Sequence, residues 1–195
     1  MERKATIVRK TGETEIELTL NLDGTGKTDI NTGVGFFDHM LNNFARHGLF
    51  DLTVKAKGDL YVDCHHLIED VGIVLGQAIK EAVGDKKSIK RYGNATLPMD
   101  ETLLMCALDL SGRPYFVSNM KFNTEKCGYF DTCMTKEFFY AVSYSAMMNL
   151  HFNMFYGDND HHIIECAFKA FAKALDMATM TDLRFNSVLS TKGIL

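Results

Sequence analysis

The chain carries one unusual pattern twice. The segments His65–Glu69 and His161–Glu165 both read His-His-x-Ile-Glu, where x is aliphatic, and each follows a Gly-Asp pair and begins a stretch with helical periodicity. A pattern repeated together with its surroundings indicates an internal duplication. At roughly 150 residues per domain, a chain of 195 residues forms one domain or two small halves that share a core. We therefore expect two related halves, 1–90 and 91–195, packed together as a single domain.

Hydrophobic periodicity predicts a similar order of elements in both halves. In the first half it predicts strands at 5–8 and 15–22, a helix at 36–44, a strand at 50–57 and a helix at 66–83. In the second half it predicts strands at 102–110 and 114–122, a helix at 135–148, a strand at 150–156 and a helix at 162–178. Each half is therefore predicted as strand-strand-helix-strand-helix. The expected fold class is α+β, an internally duplicated two-layer unit whose sheets carry helices packed on one face.

Composition narrows the possible function classes. The formal net charge is −4, so no general basic field is available to hold nucleic acid or an anionic membrane. No apolar run approaches the roughly 18 residues of a spanning helix, and the charged start of the chain does not resemble a signal peptide. The five cysteines are scattered and contain no Cys-x-x-Cys pair, which disfavours disulfides and a thiolate zinc site. We expect a cytoplasmic globular protein with reduced thiols.

The repeated histidine pairs predict metal binding. Neighbouring side chains on a helix diverge by about 100°, so two adjacent imidazoles more naturally reach two different ions. A glutamate three or four positions later returns to the face of one histidine. Nitrogen and oxygen ligands without thiolate favour manganese, iron or zinc, and additional carboxylates favour manganese. One such motif alone is more often structural, but its recurrence at matching places of a repeat favours a metal site.

Further motifs occur in order over nearly the whole chain. They are Asp38–Leu41, Arg46–Phe50, Gly58–Asp70, Leu110–Pro114, His161–Leu175 and Ser190–Gly193. Together they resemble the imidazoleglycerol-phosphate dehydratases, which are hydro-lyases of histidine biosynthesis. The resemblance implies a duplicated α+β subunit, two Mn²⁺ ions per active site, active sites between subunits and a homo-oligomer of 24 chains. The last three of these properties do not follow from composition or periodicity.

The resemblance also implies a set of metal ligands. They are His39, His65, His66, Glu69, Glu137, His161, His162 and Glu165. Glu137 stands where related chains often carry histidine. It is either a substitute ligand, since a carboxylate also binds manganese, or an exposed helix glutamate, and the sequence leaves both open. His151 lies in a predicted strand, where we expect a core or supporting position rather than ligation.

A second implied group of residues contacts the substrate. It comprises Glu13, Asn43, His47, Arg91, Arg113, Lys169, Ser190 and Lys192. The last five match the family's phosphate-holding positions, and a phosphate requires such cations and donors from several directions. Arg113 precedes Pro114 in a tight turn, which would restrict its backbone. Lys169 follows His162 by seven residues, about two helical turns.

The implied reaction removes water from D-erythro-imidazole glycerol phosphate to give imidazole acetol phosphate. The carbon-bound proton has no neighbouring carbonyl to stabilise a carbanion, so direct abstraction would be slow. The resemblance implies a di-manganese-bound imidazolate and a diazafulvene-type intermediate instead. Glu13 is the predicted general acid or base. Glu69, Glu165, Asp100 and Glu101 are weaker alternatives for proton transfer.

Two other functions use part of the same residue set. One is metal binding or storage without this chemistry, and the other is di-metal hydrolysis of a different phosphate ester. Storage requires no phosphate-holding residues such as Arg113 and Lys169. Hydrolysis requires the metal beside phosphorus rather than beside an imidazole ring. The coexistence of phosphate-type residues with two histidine motifs therefore favours the lyase.

Overall fold

The protein was analysed as a computed structural model that describes residues 3–194. The first half comprises β1 (Lys4–Lys10), β2 (Thr14–Asn21), β3 (Thr28–Asn31), α1 (Gly35–Gly48), β4 (Asp51–Gly58) and α2 (His65–Val83). The second half comprises β5 (Tyr92–Met99), β6 (Thr102–Asp109), β7 (Tyr115–Ser118), β8 (Lys126–Cys127), β9 (Phe130–Asp131), α3 (Met134–Ala146), β10 (Asn149–Tyr156) and α4 (Asp160–Thr179). Apart from the short β8–β9 hairpin, both halves follow one order of elements.

Sheet topology confirms the α+β class and agrees with the duplication. The first sheet has the order β1-β2-β4-β3 and the second has the equivalent order β5-β6-β10-β7. In each sheet the short strand β3 or β7 runs parallel to its neighbour, and the other pairs are antiparallel. The two sheets are therefore built by the same path of the chain.

The predicted order of elements missed one sheet strand in the first half, and one sheet strand and the β8–β9 hairpin in the second half. It missed β3, whose four residues Thr-Asp-Ile-Asn are polar and lie at a sheet edge. It also missed β5, whose sequence contains glycine, asparagine and proline, residues depleted in strands. An edge strand tolerates them because one side of its backbone has no partner strand. The predicted strand at 114–122 is also too long, since β7 ends at Ser118.

One continuous core joins the two halves. Alternate residues of β2 and β6 are buried, and these faces carry α2 and α4 respectively. The helices also pack across the halves, α2 against α3 and α1 against α4. Phenylalanines from α1, α3 and α4 stack there, among them Phe37, Phe138 and Phe168. This packing fixes α1 beside α4, which determines which side chains meet at their surface.

Helix α4 lies unusually close to strand β5. A Cβ placed on Gly93 would be 1.8 Å from the carbonyl oxygen of Ala174. Only glycine permits this approach. No helix within residues 3–194 is both long and apolar enough to cross a membrane.

Candidate metal and substrate site

Two helices from different halves bring three predicted ligands together. Nε2 of His39 on α1 lies 3.4 Å from Oε2 of Glu165 on α4, and Nε2 of His161 lies 3.2 Å from the same oxygen. One donor atom from each of these three residues falls within 4.8 Å of the others. We call this set the first cluster. His39 and His161 are more than 120 positions apart in the sequence, and the packing of α1 against α4 brings them together.

The starts of both helices are held by local hydrogen bonds. The carboxylate of Asp38 accepts from the backbone N–H of Thr32 at 2.9 Å and from its hydroxyl at 2.6 Å, which ties the preceding loop to α1. The side chain of Asn159 caps α4 by accepting from the N–H of His161 at 3.0 Å. The ring of Phe36 packs edge-on against the imidazole of His161 at 5.0 Å between centroids. The two imidazoles are therefore positioned by the backbone and by packing.

Lys169 lies beside the first cluster, one turn beyond Glu165. Its Nζ is 2.6 Å from Oε1 of Glu165, and the carboxylate is almost fully buried. Burial alone would raise the pKa of Glu165, but the hydrogen bond and charge of Lys169, aided by His39, hold it below its ordinary value. Glu165 is therefore an ionised ligand candidate, and Lys169 is already partnered.

Asn43 and His47 extend the first cluster along α1. His39, Asn43 and His47 are spaced four residues apart and so lie on one face of the helix. Nδ2 of Asn43 lies 3.4 Å from Nε2 of His39. Burial and the nearby charges of Lys169 and Lys173 lower the pKa of His47. The face of α1 thus runs beside the equivalent face of α4 that carries His161, Glu165 and Lys169.

A second cluster forms around His66 at the start of α2. Nδ1 of His66 lies 3.0 Å from Oδ2 of Asp59 and 3.8 Å from Oε2 of Glu13. The hydrogen bond to Asp59, together with the negative charges around the ring, raises the pKa of His66. Sequence analysis predicted His66 and Glu13 but missed Asp59. Its position directly after β4, in the Gly-Asp pair preceding the histidines, was the available signal.

The second half contains an equivalent arrangement around His162. Its Nδ1 lies 2.7 Å from Oε2 of Glu101, and its Nε2 lies 3.7 Å from Oδ2 of Asp100. The hydrogen bond from His162 lowers the pKa of Glu101 to about 2. Glu13 follows β1 and Glu101 follows β5, so both occupy the turn between the first two strands of a half. His162 therefore contacts the carboxylate at the position equivalent to Glu13, whereas the carboxylate closest to His66 is that of Asp59.

The remaining predicted ligands are less closely grouped. Nε2 of His65 lies 4.0 Å from Oε2 of Glu69, and both side chains are about half exposed. Glu137 is exposed on α3 and joins neither three-donor cluster within residues 3–194. The centroids of the adjacent His65 and His66 rings are 6.1 Å apart, their planes are inclined at 69°, and the two rings contact different carboxylates.

His151 does not occupy the core position considered for it. It is exposed on β10 and stacks on the ring of Tyr115 at 6.4 Å. Inward and outward positions alternate along a strand, and Leu150 and Phe152 take the buried ones. The sequence pattern of this strand already contained that alternation.

Four of the five predicted phosphate residues line one cavity. They are Arg91, Arg113, Ser190 and Lys192, around a volume of about 730 Å³. Within this set Arg91 is buried and donates from Nε and Nη2 to Asp109 at 2.7 and 3.0 Å. Its Nη1 also donates to the carbonyl of Leu189 at 2.7 Å, which holds the tail against the cavity. Lys169 is the exception, since it pairs with Glu165 beside the first cluster.

The cation-lined cavity is far from the first cluster within one chain. The N–H of Arg91 donates to the carbonyl of Ala178 at 2.9 Å, close to the end of α4. His161 stands at the start of the same helix. At about 1.5 Å per residue, the intervening helix separates the two by roughly 25 Å.

Comparison with known proteins decides the family. The family model for imidazoleglycerol-phosphate dehydratase matches residues 32–175. The chain belongs to the imidazoleglycerol-phosphate dehydratase family. It is 63% identical to the enzyme of Lachnoclostridium phytofermentans over 193 aligned residues. The alignment covers 99% of this chain and 98% of that protein. It is 61% identical to the enzyme of Acetivibrio thermocellus over the full length of both.

Solved structures of the imidazoleglycerol-phosphate dehydratase family share the fold. The Staphylococcus aureus crystal structure superposes with a TM-score of 0.84 at 41% identity, covering 92% of this chain and 99% of that one. The Pyrococcus furiosus structure gives the same TM-score at 35% identity, covering 97% and 100%. Membership of a dehydratase family makes the chain a hydro-lyase, as its motifs predicted.

Proposed function

We propose that this chain dehydrates imidazoleglycerol phosphate to imidazole acetol phosphate in histidine biosynthesis, using two Mn²⁺ ions in an active site shared between copies of the chain. The observation that carries the proposal is the coexistence of imidazole–carboxylate clusters with a separate cation-lined cavity. The clusters suit a metal-bound imidazole ring of the substrate, and the cavity suits its phosphate. A cytoplasmic location and an assembly of 24 chains accompany the proposal as predictions.

The residues present fit a manganese site. The first cluster supplies two imidazole nitrogens and one ionised carboxylate oxygen that converge on a small volume. This mixed nitrogen and oxygen set without thiolate is one that Mn²⁺ accepts. His39, His161 and Glu165 would hold one ion, while His65, His66, Glu69, His162 and the exposed Glu137 are the further candidate ligands. When bound, manganese would act as a Lewis acid toward the imidazole ring of the substrate.

The separation between cavity and cluster supports an active site built from two copies. A small substrate with one ring and one phosphate is much shorter than the roughly 25 Å that α4 places between them. The phosphate in the cavity of one chain would therefore present the ring to the histidines of another. Arg113, Ser190 and Lys192 would then bind the phosphate, and Arg91 would brace the cavity through Asp109 and the tail.

Glu13 is the best placed residue for proton transfer. Its carboxylate is more than half exposed beside His66, so it remains accessible to a ligand. Dehydration requires loss of one proton from carbon and protonation of the leaving hydroxyl, after which the enol product tautomerises to a ketone. Glu101 is less suited to this role because Oε1 accepts from the N–H of Asn159 at 2.9 Å while Oε2 contacts His162. Glu165 is held by three partners and fits ligation better.

The test combines turnover with metal content. Metal-free protein reconstituted with Mn²⁺ should consume imidazoleglycerol phosphate and hold about two ions per chain. Glu13→Gln should keep its metal and lose most of its turnover, and near-normal turnover would remove Glu13 from the mechanism. Metal-loaded protein that leaves the substrate untouched would refute the lyase and favour metal storage.

The shared active site has its own test. Arg113→Ala disables the cavity and His161→Ala disables the first cluster, so each variant alone should be inactive. Assemblies formed from both variants together should recover part of the activity, because some sites combine an intact cavity with an intact cluster. Placing both substitutions on one chain and mixing it with Arg113→Ala is the matched control, in which no intact pair of parts exists. Equal activity in the two mixtures would contradict the shared site.

A further inference from the structure

The second histidine of each pair uses its ring differently from its neighbours. His39, His161 and His65 direct Nε2 toward a carboxylate of their cluster or pair. His66 and His162 instead direct Nδ1 toward a carboxylate, at 3.0 and 2.7 Å. This use of Nδ1 occurs in both halves, but the carboxylate comes from a different position in each. Asp59 follows β4, and Glu101 follows β5.

These contacts select one tautomer of each neutral ring. An ionised carboxylate only accepts hydrogen bonds, so Nδ1 must donate. The ring proton then resides on Nδ1, and Nε2 carries the lone pair that a metal requires. Within residues 3–194 no hydrogen bond involves Nε2 of His66, and Nε2 of His162 has only Asp100 nearby, at 3.7 Å. Both Nε2 atoms are thus available as ligands.

Asp59 is largely buried, and its carboxylate contacts His66. The side chain is only 13% exposed, and within the described residues its Oδ1 is buried without a hydrogen-bond partner. A buried carboxylate oxygen left unpaired is unfavourable for folding. The other carboxylate oxygen, Oδ2, contacts His66. The interaction that stabilises the Asp59 carboxylate therefore also orients the ring of His66.

We propose that Asp59 and its counterpart Glu101 are positioning residues that fix His66 and His162 as Nδ1–H tautomers with Nε2 directed to metal. The inference rests on the proposed metal-dependent function and adds residues to it. A carboxylate behind a ligand histidine orients the ring and increases its basicity, and its loss typically weakens metal binding about 10- to 100-fold. Asp59 is the cleaner one to test, because Glu101 also holds the backbone at Asn159.

The competing arrangement places the metal on the other ring nitrogen. Glu13, Asp59 and Nδ1 of His66 lie close enough together to form a three-donor site by themselves. Asp59 would then be a ligand rather than a positioning residue. The two arrangements always differ in the ring nitrogen that binds the metal, which is Nε2 in the proposed arrangement and Nδ1 in the competing one. They differ in the tautomer of metal-free His66 only if Asp59 does not hold the ring before the metal binds.

The experiment follows the tautomer and the metal separately in the full-length protein. Nitrogen-15 spectra of histidine-labelled, metal-free protein report which ring nitrogen is protonated, at a pH where the ring is neutral, with the His66 signal identified by its loss in His66→Asn. Mn²⁺ titration followed by electron paramagnetic resonance of the free ion reports affinity. The variants are Asp59→Asn, Asp59→Glu and the control Asp63→Asn. Asp63 lies in the same loop, and asparagine retains the acceptor that its Oδ1 offers to the N–H of His65.

The proposal expects the Nδ1–H form in the wild type, a mixed population in Asp59→Asn, and a dissociation constant for one Mn²⁺ ion raised about 10- to 100-fold. Asp59→Glu should restore part of the affinity, and Asp63→Asn should change neither readout. Unchanged Mn²⁺ affinity in a folded Asp59→Asn variant, or Mn²⁺ bound to Nδ1 between Asp59 and Glu13 in crystals, would overturn it. Neither readout uses turnover, so protein with the expected tautomers but no dehydratase activity would refute only the proposed function.

Discussion

A buried network on the first half should control both stability and the position of Glu13. The carboxylate of Asp70, four residues after His66 on α2, accepts from Nε of Arg9 at 2.8 Å and from the hydroxyl of Thr14 at 2.5 Å. Thr11 organises the turn by accepting from the N–H of Glu13 at 3.1 Å. The network therefore ties the β1–β2 turn, which carries Glu13, to the helix that carries His66.

The substitution Asp70→Asn breaks one of these two contacts. Asparagine retains one acceptor oxygen for the hydroxyl of Thr14. Its NH₂ group then points at Nε–H of Arg9, so two hydrogen-bond donors oppose each other. Hydrogen bonds to charged groups contribute about 1.5–3 kcal/mol, and removing one partner of a fully buried pair costs about 3–5 kcal/mol. Because the side chain of Arg9 is 35% exposed, solvent screens the remaining charge. We therefore expect a loss of about 2 kcal/mol in the free energy of unfolding.

Urea denaturation at one fixed protein concentration measures this loss, since an assembly makes apparent stability depend on concentration. Asp29→Asn is the matched control, because Asp29 pairs with Lys55 on an exposed surface and such pairs contribute at most about 1 kcal/mol. Turnover of Asp70→Asn should fall more than substrate affinity, because a loosened turn displaces Glu13 and leaves the cation-lined cavity intact. Denaturation midpoints that coincide for wild type and Asp70→Asn would refute this reasoning.

Two further predictions follow from single contacts. Glu165 has a lowered pKa, so its ionised form stabilises the folded state above the ordinary glutamate pKa, and this contribution disappears as pH falls through the lowered value. Lys169→Met should therefore shift acid unfolding of metal-free protein to higher pH and Lys169→Arg should largely restore it, whereas identical acid transitions would exclude the ion pair as the cause. Gly93→Ala should lower the free energy of unfolding by about 1–3 kcal/mol, because its Cβ would meet the carbonyl of Ala174. Gly12→Ala, where nothing lies within 4 Å of the added carbon, is the control in thermal denaturation, and equal losses would contradict the packing argument.

The parts of the fold predicted from sequence are those in which burial sets the pattern. Strand β2 alternates buried and exposed residues along its length, and α2 keeps one apolar stripe from Leu67 to Val83, so their periods are visible in the sequence. Strand β3 is polar and mostly exposed, so its sequence shows little alternation. Strand β5 does alternate, but its glycine, asparagine and proline are residues depleted in strands and obscure the pattern. The missing strands are identified only by their pairing with neighbouring strands, such as that of Leu97 in β5 with Leu104 in β6. No local sequence pattern encodes this pairing.

The same distinction explains what could be known of the candidate site. Ligand types and their helical spacing are local, so the pairs His65–Glu69 and His161–Glu165 were predicted directly. His39 was named as a ligand only through the family resemblance, and its approach to Glu165 depends on α1 packing against α4 across the halves, which no local pattern predicted. Asp59 had no helical relation to His66, since a turn of irregular structure lies between them. Its contact with Nδ1 of His66 appears only in the structure, and Glu101 makes the same contact with His162 from a different position in the second half. The carboxylates behind the two second histidines come from non-equivalent loops, one after β4 and one after β5, so no single sequence motif describes both.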